Sequence, residues 1–370
     1  MKLLETDVLV VGGGPAGLAA AIAARQQGFN VLLADLSRPP IDKACGEGLM
    51  PHSLAALAKL GVTLDGISTG TFRGIRFIGG EQSVSAEFPN GIGLGIRRTL
   101  LHSALIERAE QAGISMQWGT RVEVAVDRTV LLDGNLVKYR WLIGADGHNS
   151  RVRRAARLDP GLEFERRVGI RRHFMVRPWS DLVEIHWGQD YQAYVTPIAE
   201  DEICVAVISK PPMDSFESAV SQLPELSRHL QNVTPHTTVK GAVTVSRRLR
   251  SVTSGRVALI GEASGSVDAI TGEGLAICFR QADALGRALA FNDLRDYERE
   301  HQEIMRLPHF MGRSMLLMDK NALLRLRTLR ALASKPQIFD RMLSVHVGAV
   351  PLIAFGIHTA VSFGWQFLTA

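Results

Sequence analysis

Residues 5–35 read as strand, glycine turn, helix and strand, an order that leaves few architectures open. An apolar run over residues 5–11 ends in glycines, PAGLAAAIAARQQG gives a small-residue helix stopped at Gly28, and NVLLAD is a second apolar run closing at Asp35. Such a unit builds a parallel sheet. Its turn is GGGPAG, Gly12 to Gly17. Gly12 permits the tight turn, Gly14 lets a pyrophosphate approach the backbone, and Gly17 lets the helix lie close to the sheet. The helix N-terminus adds free N–H groups and a positive dipole. Asp35 stands where an acid meets a ribose hydroxyl pair. This segment predicts a dinucleotide-binding domain of α/β class.

The pattern changes further along. FRGIRFIGGEQSVSAEF alternates around Gly79-Gly80, and strand-like runs flank Asp133-Gly134. Both read as hairpins. From Val168 to Ser209 the runs HFMV, EIHW, QAYVTPI and EICVAVIS predict an antiparallel sheet, after which RVALIG at 256–261 returns to the buried-strand pattern. Nucleotide-domain segments at both ends imply an insertion, not two domains in series. The expected division is 1–70, 91–165 and 250–300 for the cofactor domain and 71–90 and 166–249 for an antiparallel substrate domain. Residues 301–370 form a helical C-terminal region with an apolar tail.

Composition narrows the function classes. With 370 residues and 46% hydrophobic content the chain can bury a large core, and a formal charge of +5 is modest for its size. No basic stripe interleaved with aromatics and no zinc spacing is present, so neither nucleic acid nor a metal is expected. Cys45, Cys204 and Cys278 are scattered without a C-x-x-C pair, which suits a reducing, cytoplasmic setting. Glu5 and Asp7 interrupt the apolar start, so it reads as a buried strand and not as a signal peptide. After Arg341 no charged residue occurs through Ala370. Behind a basic flank, residues 342–370 suit either peripheral contact with an anionic membrane or a helix packed on the core.

A second glycine-and-acid loop, GEASGSVDAITGEG at 261–274, follows RVALIG and leads into a helix-like segment. A nicotinamide dehydrogenase needs only the first fingerprint. A protein that keeps FAD must also hold the ribityl chain and seat the ring. Glu262 ends the strand, and Gly272 and Gly274 let backbone N–H groups approach the ring at a helix N-terminus, which would stabilise negative charge on reduced flavin.

GGGPAG with Asp35, WLIGADGHNSRVRR at 141–154 and GEASG..DAITGEG together resemble the FAD-dependent oxidoreductases that include the single-component aromatic hydroxylases, flavin halogenases and geranylgeranyl reductases. The resemblance spans roughly residues 5–290. It implies a flavin domain beneath an antiparallel substrate domain. It also implies that Asp146 and Gly147 serve the FAD and a visiting nicotinamide, that Arg98 contacts the phosphates and ribityl region, and that the Val122 backbone meets adenine. Ala16 and Leu275 complete the cofactor-binding candidates. The chain departs from the family pattern at Gly261-Glu262, where Gly-Asp is usual, and at Ala269, where proline is usual. KACGEGLMP at 43–51 resembles the cysteine-glycine segment of the geranylgeranyl reductases and places Cys45 near the flavin. YQAYVTP at 191–197 lacks the halogenases' tryptophan pair, which disfavours halogenation.

No second fingerprint follows a strand, so NAD(P)H would be a transient reductant. The expected activity is that of an FAD-dependent oxidoreductase on a bulky, lipophilic substrate, aromatic or isoprenoid. Monooxygenation is preferred because it is the commoner chemistry on this scaffold. Double-bond reduction stands close behind, and a flavin-binding protein without catalysis is a third reading. For reduction Cys45 is the candidate acid, against its reading as a small buried residue. His173, His186 and Tyr194 sit on strands that would face a substrate, and each is also explained as a structural hydrogen-bonder.

Overall fold

The computed structural model describes residues 3–124, 129–158, 162–213, 215–351 and 367. Its first sheet has five parallel strands in the order Val257–Leu259, Asn135–Gly144, Leu3–Val11, Val31–Asp35 and Ser115–Trp118. Leu3–Val11 lies at the centre. Val8, Leu9, Val10 and Val11 are all buried, because helices cover both faces of a parallel sheet and leave no polar side. The helix Pro15–Gln26 starts on a proline, which suits a first-turn N–H that has no partner. Its alanine-rich face admits a second helix, Gly274–Ala290. A Cβ at Gly286 would come within 3.0 Å of the Ala23 carbonyl oxygen. On one side hangs an antiparallel meander, Val122–Val124, Thr129–Leu132 and Asn135–Gly144. Its last turn has positive φ at both Asp133 and Gly134, the geometry expected of an Asp-Gly hairpin.

The second sheet has seven strands: Lys240–Arg248, Leu162–Met175, Glu202–Ser209, Tyr191–Pro197, Val183–Trp187, Gly74–Gly79 and Gln82–Glu87. The expected antiparallel pairing holds at every junction but one. Val183–Trp187 runs parallel to Gly74–Gly79. A parallel pair needs a long crossover, and the chain between Glu87 and Val183, which includes much of the first sheet, supplies it.

A third sheet was not foreseen. Gly48–Leu49, Gly93–Gly95 and Gly70–Phe72 pair antiparallel and rest on the end of Tyr191–Pro197, where a Cβ at Gly95 would lie 1.8 Å from the Pro197 carbonyl oxygen. Strands of two or three residues carry no readable period. This patch nonetheless joins the Cys45 segment to the large sheet.

Three helices follow: Leu294–Lys320, Ala322–Ser334 and Pro336–His346. The first is tied to the parallel sheet by Tyr297, whose hydroxyl donates to the Leu259 carbonyl at 2.6 Å, and by Glu298, which accepts Val252 N–H at 3.0 Å. The other two lay Leu329, Leu332, Ile338, Phe339 and Leu343 against Phe72, Val84 and Ala86. No helix among the described residues is long and apolar enough to cross a membrane. Most of the tail proposed for membrane contact, residues 352–366 and 368–370, lies outside the described residues.

His301, on the first of these helices, is buried with Nε2 2.9 Å from Ser264 Oγ, and burial pushes its pKa down to about 4. Between the ordinary value near 6.5 and that figure, the unfolded chain binds a proton that the folded chain refuses. Stability is therefore complete above pH ~6.5 and declines as pH falls through this window, by roughly 3 kcal/mol for full protonation. Urea unfolding midpoints should fall over this range, and His301→Gln should flatten part of the slope.

Candidate flavin site

The three motifs meet at the carboxyl ends of three adjacent parallel strands, Leu3–Val11, Asn135–Gly144 and Val257–Leu259. Gly12 has φ +114°, and a Cβ there would lie 2.4 Å from the Ala145 carbonyl oxygen. Gly17 lies against Gly12, with its would-be Cβ 1.8 Å from the Gly12 oxygen, and Gly261 lies against Ala16, with 2.6 Å between Cβ positions. Backbone bonds lock the arrangement. Ala145 N–H donates to Val11 at 2.8 Å and Ile260 N–H to Gly144 at 2.9 Å. Gly14 differs from its neighbours, having no atom within 4 Å of a would-be Cβ. The helix beyond it has neither a side-chain cap nor an acid in its first turn, which leaves its N–H groups free for an anion.

Asp35 reaches back over this loop, its Oδ2 accepting Gly13 N–H at 2.5 Å and Oδ1 accepting Ser37 N–H at 2.6 Å. Gly13 was not singled out from the sequence. A side chain there would strike the Trp118 ring at 2.2 Å, and the third consecutive glycine was the available signal. Thr120 N–H donates to the Asp35 carbonyl at 2.9 Å, and Val122, two residues on, pairs with Leu132 in the meander.

The helix Arg98–Gln111 crosses beside the turn. His102 receives Ile41 N–H at Nδ1 and so carries its proton on Nε2, which donates to the Gly13 carbonyl at 2.8 Å. Burial, first among the causes, lowers its pKa and keeps it neutral. Arg98 opens the helix, and its Nε is buried without a hydrogen-bond partner among the described residues. This buried guanidinium nitrogen stands one turn before His102, which bonds Gly13, and a pyrophosphate at the glycine turn would give it a partner.

Asp146 turns inward. Its carboxylate accepts Ser150 Oγ–H at 2.5 Å, Arg151 N–H at 2.6 Å and Val152 N–H at 3.2 Å, so it caps the short helix Arg151–Ala155. Gly147, at φ +76°, makes the turn between them. Any cofactor contact from this motif would thus come from backbone.

The late loop closes the site. Asp268 accepts Ile270 N–H at 3.0 Å, and Tyr194 Oη–H donates to the Ile270 carbonyl at 2.8 Å, fastening the loop to the large sheet. Gly272 is left-handed at φ +66°, and neither it nor Gly274 has an atom near its would-be Cβ. Leu275 packs on the core, and the helix beginning at Gly274 has no side-chain cap. Open backbone on both sides of Glu273 fits a flat ring seated there.

Glu262, where the family usually has aspartate, holds Lys43 with both oxygens at 2.7 Å. The extra methylene reaches the Cys45 segment, and this pair was not foreseen. Cys45 Sγ accepts Glu47 N–H at 3.4 Å. Glu47 is buried at φ +59°, a conformation that persists only where surroundings impose it. Its Oε1 accepts Arg98 N–H at 2.9 Å, and its Oε2 lies 2.7 Å from His173 Nε2. Arg171 places Nη1 3.2 Å from the His173 ring nitrogens and Nη2 2.5 Å from Asp42 Oδ1. Glu47, His173 and Cys204 bring three metal-ligating atoms together, but the Arg171 guanidinium supplies the positive charge there. An acid between two glycines in CGEG was the signal for Glu47. His186 likewise pairs with Glu184, at 3.2 Å.

The family model described as "FAD binding domain" matches residues 5–293. The chain is an FAD-dependent oxidoreductase of this family. The flavoenzyme is 29% identical over 298 residues to a menaquinone reductase of Mycolicibacterium smegmatis, covering 73% of each chain. It is 29% identical over 299 residues to digeranylgeranylglycerophospholipid reductase 1 of Methanopyrus kandleri, covering 74% of this chain and 77% of that one. A flavoprotein/dehydrogenase from Cytophaga hutchinsonii shares its fold, with a TM-score of 0.83 and 18% identity over 98% of both chains.

Proposed function

We propose that this flavoenzyme reduces a carbon–carbon double bond in a bulky, lipophilic substrate of isoprenoid type. The observation that carries the reading is the double anchorage of Cys45. Lys43 ties its segment to the late motif through Glu262, and Glu47 ties it to the first turn of the Arg98 helix. A thiol is thereby held between the late motif and the Arg98 helix. The names of the two reductases above, both acting on polyprenyl lipids, support the same substrate class. NAD(P)H is the proposed transient reductant.

FAD held here would, once reduced, supply hydride to one alkene carbon. Cys45 holds a proton at Sγ and delivers it to the other carbon, and solvent restores it. Glu47 N–H, donating to that sulfur, stabilises the thiolate left behind. Arg98 and the Gly14 turn would hold the phosphates, and Asp35 would orient the ribose. A thiol also fits a reductase better than an oxygenase, because oxidants made from oxygen carry thiolates toward sulfenic acid.

Anaerobic reduction followed by addition of a detergent-solubilised polyprenol, which has no quinone ring to take the electrons, tests this. Flavin reoxidation without air and a product heavier by two hydrogens are expected. Cys45→Ala should keep the rate of flavin reduction while lowering product formation roughly 100-fold, within the range for loss of a general acid. A second reading, monooxygenation, draws on the burial of the large sheet under the C-terminal helices, since oxygen chemistry needs water kept out. It requires air and a product heavier by one oxygen.

A further inference from the structure

Glu273, the acid of the Thr-Gly-Glu-Gly turn, directly precedes the helix Gly274–Ala290 and is 3% exposed. Its backbone carbonyl accepts Ile277 N–H at 2.9 Å, while its carboxylate faces two histidines from distant parts of the chain. His52 Nε2, from the first turn of the helix Pro51–Lys59, lies 3.7 Å from Oε1. His346 Nδ1, at the end of the helix Pro336–His346, lies 3.9 Å from Oε2. Both separations exceed a hydrogen bond. Among the described residues, His52 Nδ1 and Nε2, Glu273 Oε2 and His346 Nδ1 are buried without a hydrogen-bond partner. Folded proteins leave few such atoms, and four of them in one cluster call for a reason.

Among the described residues, the charged and titratable groups facing Glu273 are His52, His346 and Arg280, the last from its own helix. Burial pushes the Glu273 carboxyl above its usual range and the His52 imidazole down to about 4. Both shifts oppose charge in this cluster, so one added proton would change its state cleanly.

We propose that His52, Glu273 and His346 form a proton-accepting set that responds to the redox state of flavin seated on the Gly272–Gly274 turn. The proposal rests on that seat and not on which substrate is turned over. When a two-electron reductant adds negative charge at the turn, a neighbouring buried carboxylate feels like-charge repulsion and gains proton affinity. Glu273 then takes one proton from solvent, forming one O–H bond. No protein group is oxidised or reduced, and the proton offsets part of the added charge. The new O–H can donate to a neutral imidazole nitrogen, which gives one of the unpartnered histidine atoms a partner. His346 makes the docked C-terminal helix part of the set, so these are positioning residues that act through the cofactor's surroundings.

The test is a dithionite titration of the FAD-loaded protein over roughly pH 5.5–8.5, a span that brackets ordinary histidine titration. Flavin potential against pH and proton uptake by indicator dye are read together, with thermal melts to establish folding. Wild type should take up about one proton more per two electrons than Glu273→Gln, and His346→Gln should shift the pH at which that proton is bound. Equal uptake by wild type and Glu273→Gln overturns the proposal. If Glu273→Gln does not load FAD, His346→Gln decides: a shifted profile supports the proposal, and one that superimposes on wild type overturns it.

Discussion

Gly17→Ala should give a colourless chain with little cooperative unfolding, whereas Gly14→Ala should fold normally and lose FAD. The two glycines stand three residues apart in the same fingerprint, yet their surroundings are opposite. At Gly17 a methyl group would lie 1.8 Å from the Gly12 carbonyl oxygen and 2.9 Å from its carbon, and backbone cannot swing aside as a flexible side chain can. Relief would lift the first helix from the central strand, at a cost above the ~3 kcal/mol typical of severe overpacking. At Gly14 the backbone is extended and the space beside it open. A methyl group there costs the apoprotein almost nothing but occupies the place read as the pyrophosphate's. FAD affinity should fall roughly 10- to 100-fold, or about 1.4–2.7 kcal/mol. Thermal melts of the apoproteins with fluorimetric FAD titration separate the two effects. Equal FAD affinity in Gly14→Ala and wild type would refute the placement of the phosphates.

Removal of the Arg167 guanidinium should be the most damaging single change in the large sheet. Arg167 is 1% exposed, with Nη1 3.2 Å from Asp268 Oδ1 and Nη2 3.5 Å from Asp319 Oδ2. Gln192 donates to the other Asp319 oxygen at 2.8 Å. Burial already raises the Asp268 pKa, and Arg167 is the main force opposing that rise. Arg167→Met fills similar volume but leaves Asp268 uncompensated, which should cost about 3–5 kcal/mol by urea denaturation at neutral pH. In the variant the folded Asp268 binds its proton more tightly than the unfolded chain does. The deficit should therefore shrink as pH falls below the raised pKa and reappear as pH rises through it. Arg167→Met/Asp268→Asn should recover much of the loss at neutral pH. A deficit of equal size at all pH values would show that packing, not charge, is what Arg167 provides.

The share of this protein that can be read from residues alone follows from the range of the forces involved. Local backbone chemistry specified the glycine turn at 12–17 and the Asp133-Gly134 hairpin, because each depends on residues within a few positions of one another, while the three motifs in order carried the family resemblance. The buried runs at Val8–Val11 and Val31–Ala34 likewise announced a parallel sheet. Cys45, Glu262, Arg98 and His173 were each singled out, but the pairings that hold the Cys45 segment were not. Lys43 and Glu262 are 219 positions apart, and Glu47 and His173 are 126 apart. An acid between glycines looks like a solvated turn until a sheet folds over it.

The same limit explains the parallel pairing of Val183–Trp187 with Gly74–Gly79 and the sheet of two- and three-residue strands, neither of which has a local period. It also explains Asp146, whose motif identified its neighbourhood while only the packed loop showed its carboxylate capping a helix. Residue order thus determined the class of cofactor, since the constraints a dinucleotide places on glycine are local and severe. Tertiary structure decided which buried acids face which bases. Desolvation makes an unpaired charge costly wherever the chain happens to enclose it, and enclosure depends on the whole fold.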